Sequence, residues 1–257
     1  MRLPSNKLVS GLIALVALAC VAVWWVSSSG KIPDESDKAP LALVTSLPVY
    51  WNESPDIAAA LDAGAEPHWA RKALEQRYRL QPLDTLDQLE ASGQHILLMA
   101  QPRPLGAADN VALDEWVRGG GQVLLFADPM LTDHSAFALG DPRRPQDVAL
   151  LSPILSRWGV ALYFDDSQLE GSALVQWGDA QLPVNLPGTF ALEPQLSDAP
   201  GSCRLELGGL IAQCTLGKGR ATLVADAALF EDGDEIPPDT REAALEKLLS
   251  GAFSAAR

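Results

Sequence analysis

The chain has 257 residues, 47% hydrophobic and 20% charged, a composition that supports a buried core and excludes a disordered or fibrous chain. Its formal net charge is −14. All 33 acidic residues follow Gly30, so with 17 of the 19 basic residues the part beyond Gly30 carries −16, and a surface that acidic repels nucleic acid and anionic lipid headgroups.

Residues 8–26, LVSGLIALVALACVAVWWV, form an uncharged run of 19, close to the roughly 20 residues that cross a bilayer core as a helix. Arg2 and Lys7 precede it with no acid, while Lys31 and Lys38 beyond it are mixed with Asp34, Glu35 and Asp37. The positive-inside bias therefore leaves residue 1 in the cytoplasm and puts the remainder outside. A cleaved signal peptide and a lipoprotein signal ending at Cys20 are the alternatives. The run exceeds the usual 7–15-residue signal core, and Trp24 and Trp25 sit at its outer end as an interfacial belt would. The SSSG that follows still offers the small residues a signal peptidase accepts, whereas ALAC continues into apolar sequence. The expected organisation is a cytoplasmic stub and single transmembrane anchor over 1–30, a polar linker over 31–40, and an extracytoplasmic domain over 41–257.

In that domain LALVTSLPV reads as a strand, and SPDIAAALDAG as a helix with Ser54 as N-cap, Pro55 in its first turn and Gly64 as its stop. YRLQPLD gives a second strand, TLDQLEAS a short helix, and HILLMAQP a third strand whose consecutive apolar residues suit burial on both faces. AADNVALDEWVRGGG is helical, with Ala112, Leu113, Trp116 and Val117 at core-facing spacing and glycines at its end, and QVLLFADP is the fourth strand. Strands alternating with helices predict an α/β, doubly wound, mainly parallel sheet as the core over 41–159.

A polar loop, TDHSAFALGDPRRPQD, leads to a helix in SPILSRWG, with Ser152 as N-cap. Residues 160–257 predict a β-rich extension, either added to the sheet or as a small subdomain, from VALYF, ALVQW, CRLEL, LIAQC and GRATLVADAALF. The end, DTREAALEKLLSGAF, reads as an amphipathic helix with Asp239 and Glu242 in capping-box spacing. Gly208-Gly209 is a two-residue hairpin signal that sets Leu207 against Leu210 and Cys203 against Cys214. Opposed positions in an antiparallel pair lie within disulfide reach, and an extracytoplasmic compartment is oxidising. The alternative is two small buried apolar residues.

Ligand sites in such sheets lie beyond the carboxyl ends of the strands. The residues there are Ser46, Pro48, Asp84, Gln101, Pro102, Asp128, Pro129 and Asp226, with Trp51 just past the first strand. Asp128 and Asp226 either project into one crevice, where they accept hydrogen bonds from a ligand or pair with Arg143 or Arg144, or cap the next turn. Arg143 and Arg144, set among prolines, are either a solvated loop or a docking surface. His68, His95 and His134 lack metal-binding spacing, FEDGDE lacks the ligand pattern of a calcium loop, and no nucleotide motif occurs, so neither metal nor cofactor is expected. GGGQV ends a helix and precedes a strand, the reverse of a phosphate-binding loop.

The stretches LVTSLPVYW, ILLMAQPRPLGAADNVALDEWVRGGGQVLLFADPML and GKGRATLVADAALF together resemble the extracytoplasmic auxiliary components of ABC transport systems of the gliding-motility type, over about residues 41–160 and the late strand. The domain of that family is similar to flavodoxin-like, class I glutamine amidotransferase folds. In active amidotransferases two glycines precede a strand that ends on a cysteine nucleophile. With Gly120, Gly121, Val123 and Leu124 set on that pattern, Phe126 and Ala127 fall at the last strand residue and the nucleophile, and Pro129 at a later glycine. No thiol or hydroxyl stands there. The resemblance implies a non-catalytic accessory subunit, anchored in the bacterial inner membrane with its domain in the periplasm and partnered by an ABC permease and ATPase. A module binding a carbohydrate or envelope glycan is the alternative, and a hydrolase using carboxylates a third reading.

Overall fold

The computed structural model describes residues 38–53, 66–196, 201–231, 233 and 235–253. The expected anchor, most of the linker and the helix expected over 54–64 lie outside them. Among the described residues no helix is long and apolar enough to cross a membrane.

Residues from Ala39 onward form one compact unit with a mixed α/β architecture. Eleven strands are described: β1 (Ala39–Thr45), β2 (Tyr78–Pro82), β3 (Ile96–Ala100), β4 (Gln122–Phe126), β5 (Val160–Tyr163), β6 (Ala173–Trp177), β7 (Ala180–Val184), β8 (Thr189–Leu192), β9 (Gly201–Glu206), β10 (Ile211–Leu216) and β11 (Gly219–Val224). Four helices accompany them: α1 (Trp69–Arg77), α2 (Ala107–Gly119), α3 (Ser152–Trp158) and α4 (Pro238–Ala252). The main sheet has seven strands in the order β2-β1-β3-β4-β11-β10-β9. Its first five strands run parallel, and β10 and β9 extend it as an antiparallel hairpin.

The chain moves one way across the sheet from β1 to β2 and the other way from β3 to β4, so right-handed crossovers put α1 and α2 on opposite faces. Helix α4 packs with α1, and α3 with α2. Covered on both sides, β3 and β4 are almost wholly buried, and their Leu97, Leu98, Met99, Val123, Leu124, Leu125 and Phe126 join one continuous core.

Several elements differ from the sequence expectations. Helix α1 was not anticipated because the apolar stripe of WARKALEQR is short, with Ala70 and Leu74 buried and Trp69 and Ala73 packed beside them on the core. TLDQLEAS forms turns in place of a helix, because Thr85 hydroxyl bonds Asp87 at 2.6 Å and the Leu86 N–H is taken by the Asp109 carboxylate of α2 at 2.8 Å. Ser152 and Asp239, expected near the helix starts as caps, lie inside α3 and α4, beside Pro153 and Pro238 whose fixed φ suits a first turn. The β-rich extension is both of the forms anticipated: β9 and β10 join the main sheet, whereas β5–β8 and β6–β7 make two separate ribbons. β7 and β8 were not anticipated; β7 contains Pro183.

The hairpin between β9 and β10 pairs Cys203 with Cys214, and the two sulfurs are bonded with their Cα atoms 4.0 Å apart. Its turn is longer than the two residues expected. Leu207, Gly208 and Gly209 all take positive φ (51°, 68° and 102°), so the ladder ends at Glu206 and Ile211. At the amino edge the glycines answer to crowding. A Cβ on Gly219 would lie 2.0 Å from the Val117 carbonyl oxygen, and one on Gly121 2.4 Å from the Trp116 ring, so the end of α2 meets the start of β11 backbone to backbone and lays the Trp116 ring on the backbone before β4.

Between the helices, Asp114 is 1% exposed and accepts from Arg157 Nε at 2.5 Å, Arg118 Nε at 2.9 Å and Trp158 Nε1 at 3.0 Å. Burial pushes its pKa up, but the bonds from Arg157, Arg118 and Trp158 outweigh it and hold the group below the ordinary carboxylate value. This buried charge ties α2 to α3.

The disulfide closes a loop of about a dozen residues, for which chain-entropy arguments give about 3 kcal/mol of stabilisation. Urea unfolding of Cys203→Ser/Cys214→Ser is expected to show a loss of about that size, and added reductant should lower wild-type stability while leaving the variant unchanged. Coincident curves for the oxidised protein and the variant contradict a structural role for the bond.

Candidate functional site

Because β1, β3, β4 and β11 are parallel neighbours, their carboxyl ends share one edge of the sheet, and the polar residues that follow them come together there. Gln101 follows β3 with φ of 45° and is fully buried, a left-handed conformation costing on the order of 1 kcal/mol or more in a non-glycine residue. Its side chain repays the strain. Gln101 Oε1 accepts the Asp128 N–H at 2.8 Å, while Nε2 donates to the Asp128 carbonyl at 3.0 Å and to the Gln146 carbonyl at 2.8 Å. The amide thus continues the β3–β4 ladder one step beyond the strands. Ser46 works the same seam, donating its hydroxyl to the Gln101 carbonyl at 2.5 Å and accepting the Gln146 N–H at 2.9 Å.

Ala127, at the position a nucleophile would occupy, is fully buried, and its N–H donates to the Val224 carbonyl at 2.8 Å. Among the described non-glycine residues, positive φ occurs at Gln101, Leu186 and Leu207 and not at Ala127. The end of β4 therefore lacks the left-handed turn of a nucleophile elbow.

Asp128 and Asp226 are 0% and 2% exposed. Asp128 accepts the Met130 N–H at 2.7 Å and, across to the next strand end, the Ala227 N–H at 2.9 Å. Asp226 accepts the Ala228 N–H at 2.6 Å and the Asn185 N–H at 2.9 Å. Both carboxylates cap turns, and neither lines the two cavities described below. Burial pushes the Asp128 carboxyl up to about 7, against the lowering effect of its two N–H donors and with the Glu231 charge adding to the rise. Burial, then the neighbouring Asp128 charge, push Asp226 well above the usual range.

The arginines do not reach this pair. Arg143 bonds Asp141 at 2.8 Å, and Arg144 bonds Asp147 at 2.9 Å and the Phe137 carbonyl at 2.9 Å, which folds the loop onto itself. Trp51 is 71% exposed, edge-on to Tyr50. Pro129 packs where Gly188 leaves room, since a Cβ there would stand 2.8 Å from the proline ring.

The open space lies beside these residues. A cavity of about 640 Å³ is lined by Glu53, Glu66, His68, Trp69 and Asp133 among others, and a second of about 380 Å³ adjoins it; Thr132 lines the first, Asn185 the second, and His134 and Glu231 line both. Sequence reasoning did not bring these residues together as a site because most stand on loops away from the ends of apolar runs, and His68 and Trp69 open a helix that was not anticipated. The one available signal was the acid-rich FEDGDE directly after the late strand. Among the described residues no cluster of three His, Cys, Asp or Glu could hold a metal.

No protein-family model and no curated protein sequence matches the chain. Among solved structures the chain is similar to the mmIFT52 N-terminal domain, at 13% identity and a TM-score of 0.52, covering 86% of this chain and 99% of that one. An exo-beta-1,4-mannosidase from Opitutaceae bacterium strain TAV5 (12% identity, TM-score 0.46) is covered over 40% of its length by 96% of this chain. A ThuA-like protein from Bacteroides uniformis (10%, TM-score 0.45) is matched over 98% of its length by 88% of this chain. At such identities the mmIFT52 likeness speaks to the fold alone.

Two consequences follow for Asp128. Asp128→Ala leaves two buried N–H groups without acceptors and is expected to cost about 2 kcal/mol. An unfolded aspartate releases its proton near pH 4, whereas the folded one holds it to about 7. Across that window the native state binds more protons, so the group's contribution to stability is full below about pH 4 and is lost as pH rises through 7. Thermal melts should therefore show a larger deficit for Asp128→Ala at pH 5 than at pH 8, and a deficit independent of pH would contradict the buried, protonated assignment.

Proposed function

We propose that this protein is a non-catalytic accessory subunit of an ABC transport system, anchored in the bacterial inner membrane by residues 1–30 with its domain in the periplasm. The domain is of the flavodoxin-like, class I amidotransferase-like type, which the strand order β2-β1-β3-β4-β11 supports. One observation carries the non-catalytic reading. At the strand ends where such a sheet presents reacting groups, Ala127 is sealed in the ladder and Ser46, Gln101, Asp128 and Asp226 are all committed to backbone hydrogen bonds. Side chains so occupied hold the edge together, leaving the adjoining cavities for recognition. The transport assignment rests on the three resembling stretches quoted above, and the Cys203–Cys214 bond is in keeping with an oxidising compartment.

A glycan-binding module is the second reading, favoured by a cavity that combines Trp69, Asn52 and several carboxylates. In that case the contacts come from the cavity walls, because Asp128 and Asp226 are closed to solvent.

A mild-detergent pull-down of the tagged full-length protein from its own membranes should recover a permease and an ATPase in comparable amounts. Recovery of the protein alone contradicts the accessory role.

A further inference from the structure

The two cavities meet at one carboxylate. Glu231 follows the 3-10 turn Ala228–Phe230 beyond β11 and lines both of them. Its Oε1 accepts from the Thr132 hydroxyl. The same hydroxyl oxygen accepts from Asn185 Nδ2 at 2.9 Å, and the Asn185 N–H is held by buried Asp226 at 2.9 Å. The chain of bonds from the sheet to Glu231 orients the group before any ligand arrives.

No Lys or Arg side chain among the described residues bridges to that carboxylate. Arg241, the nearest cation on the second cavity's wall, donates to the main-chain carbonyls of Glu231 at 2.6 Å and Gly233 at 2.9 Å. Lys72 on the first cavity's wall is paired with Glu66. Among the described residues of the two walls the carboxylates Glu53, Glu66, Glu231 and Glu235 stand against these two cations. An anionic ligand is repelled from such a concave surface, and a cation is concentrated in it. A chelated metal lacks its ligand set among the described residues. Trp69 lines the first cavity and Pro183, Val184 and Ile236 the second, giving an aromatic side chain beside the acidic wall and apolar surface for an alkyl chain. About 640 Å³ lies within the usual range of small-ligand sites.

We propose that these adjoining cavities bind an organic ammonium ion on an extended alkyl body, with its charged group against Glu231. The chemistry is common to a polyamine and to a lysine side chain of a peptide. The inference rests on the domain being a binding module and is independent of the transport role.

Isothermal titration of the detergent-solubilised full-length protein at 150 mM salt, where diffuse attraction to the acidic surface is screened, tests it with spermidine, N-acetyl-lysine amide and glucose. Saturable binding of spermidine or of the capped lysine is expected, whichever is tighter naming the source. Glu231→Gln, which keeps a partner for Thr132, should weaken it at least about tenfold with an unchanged melting temperature. No saturable binding of either amine, equal binding by Glu231→Gln, or binding of glucose in their place overturns the proposal. Mass analysis of the recovered amine separates the two readings: an amine bound and returned unaltered supports both, whereas an altered one supports the site and contradicts the non-catalytic reading.

Discussion

Two carboxylates buried side by side at the ends of neighbouring parallel strands set the character of this domain. Burial raises the pKa of both Asp128 and Asp226, the Asp128 charge adds to the rise of Asp226, and among the described residues no Lys or Arg bonds to either carboxylate. They are held there by main-chain N–H groups, two for each. In return they direct the chain where it leaves the sheet: Asp128 joins the exits of β4 and β11, and Asp226 reaches Asn185 on the segment after β7. The edge that would carry reacting groups is stitched shut, and the usable surface is displaced to the loops around Glu231.

Gln101 extends the same principle to β3. An amide that both donates to and accepts from one residue's backbone substitutes for a further pair of ladder bonds, and its strained φ is tolerated because three hydrogen bonds over-determine it. The opposite edge is governed by space. Gly121 and Gly219 let the end of α2 touch β4 and β11 directly, so the WVRGGGQ stretch is a packing solution. One edge of the sheet is thus secured by hydrogen bonds and the other by the absence of side chains.

The parallel core was legible because its strands are continuous apolar runs and α2 carries an apolar stripe that ends in glycine, both local signals. The facing cysteines could be read for the same reason, since hairpin register is set within a dozen residues. Helix α1 escaped because its apolar residues are only four, two of them alanines, in a nine-residue stretch otherwise charged or polar, and the helix expected in TLDQLEAS gave way to a bond from Asp109, a contact no local pattern encodes. The site divided along the same line. Residues ending apolar runs were identifiable as polar strand ends, but whether Asp128 faces a crevice or caps a turn depends on Ala227, 99 positions away. Glu231, Thr132 and Asn185 meet only because three distant loops converge, so their alliance has no signature in sequence.

The central claim is that the strand ends are closed by a protonated acid pair, and carboxyl-carbon NMR titration of Asp128 and Asp226 tests it most directly. The account predicts that at least one of the two keeps its proton at pH 6, with an apparent midpoint near or above neutrality. Titration of both below pH 5 would place them in contact with solvent or a cation, and the sealed edge would have to be abandoned.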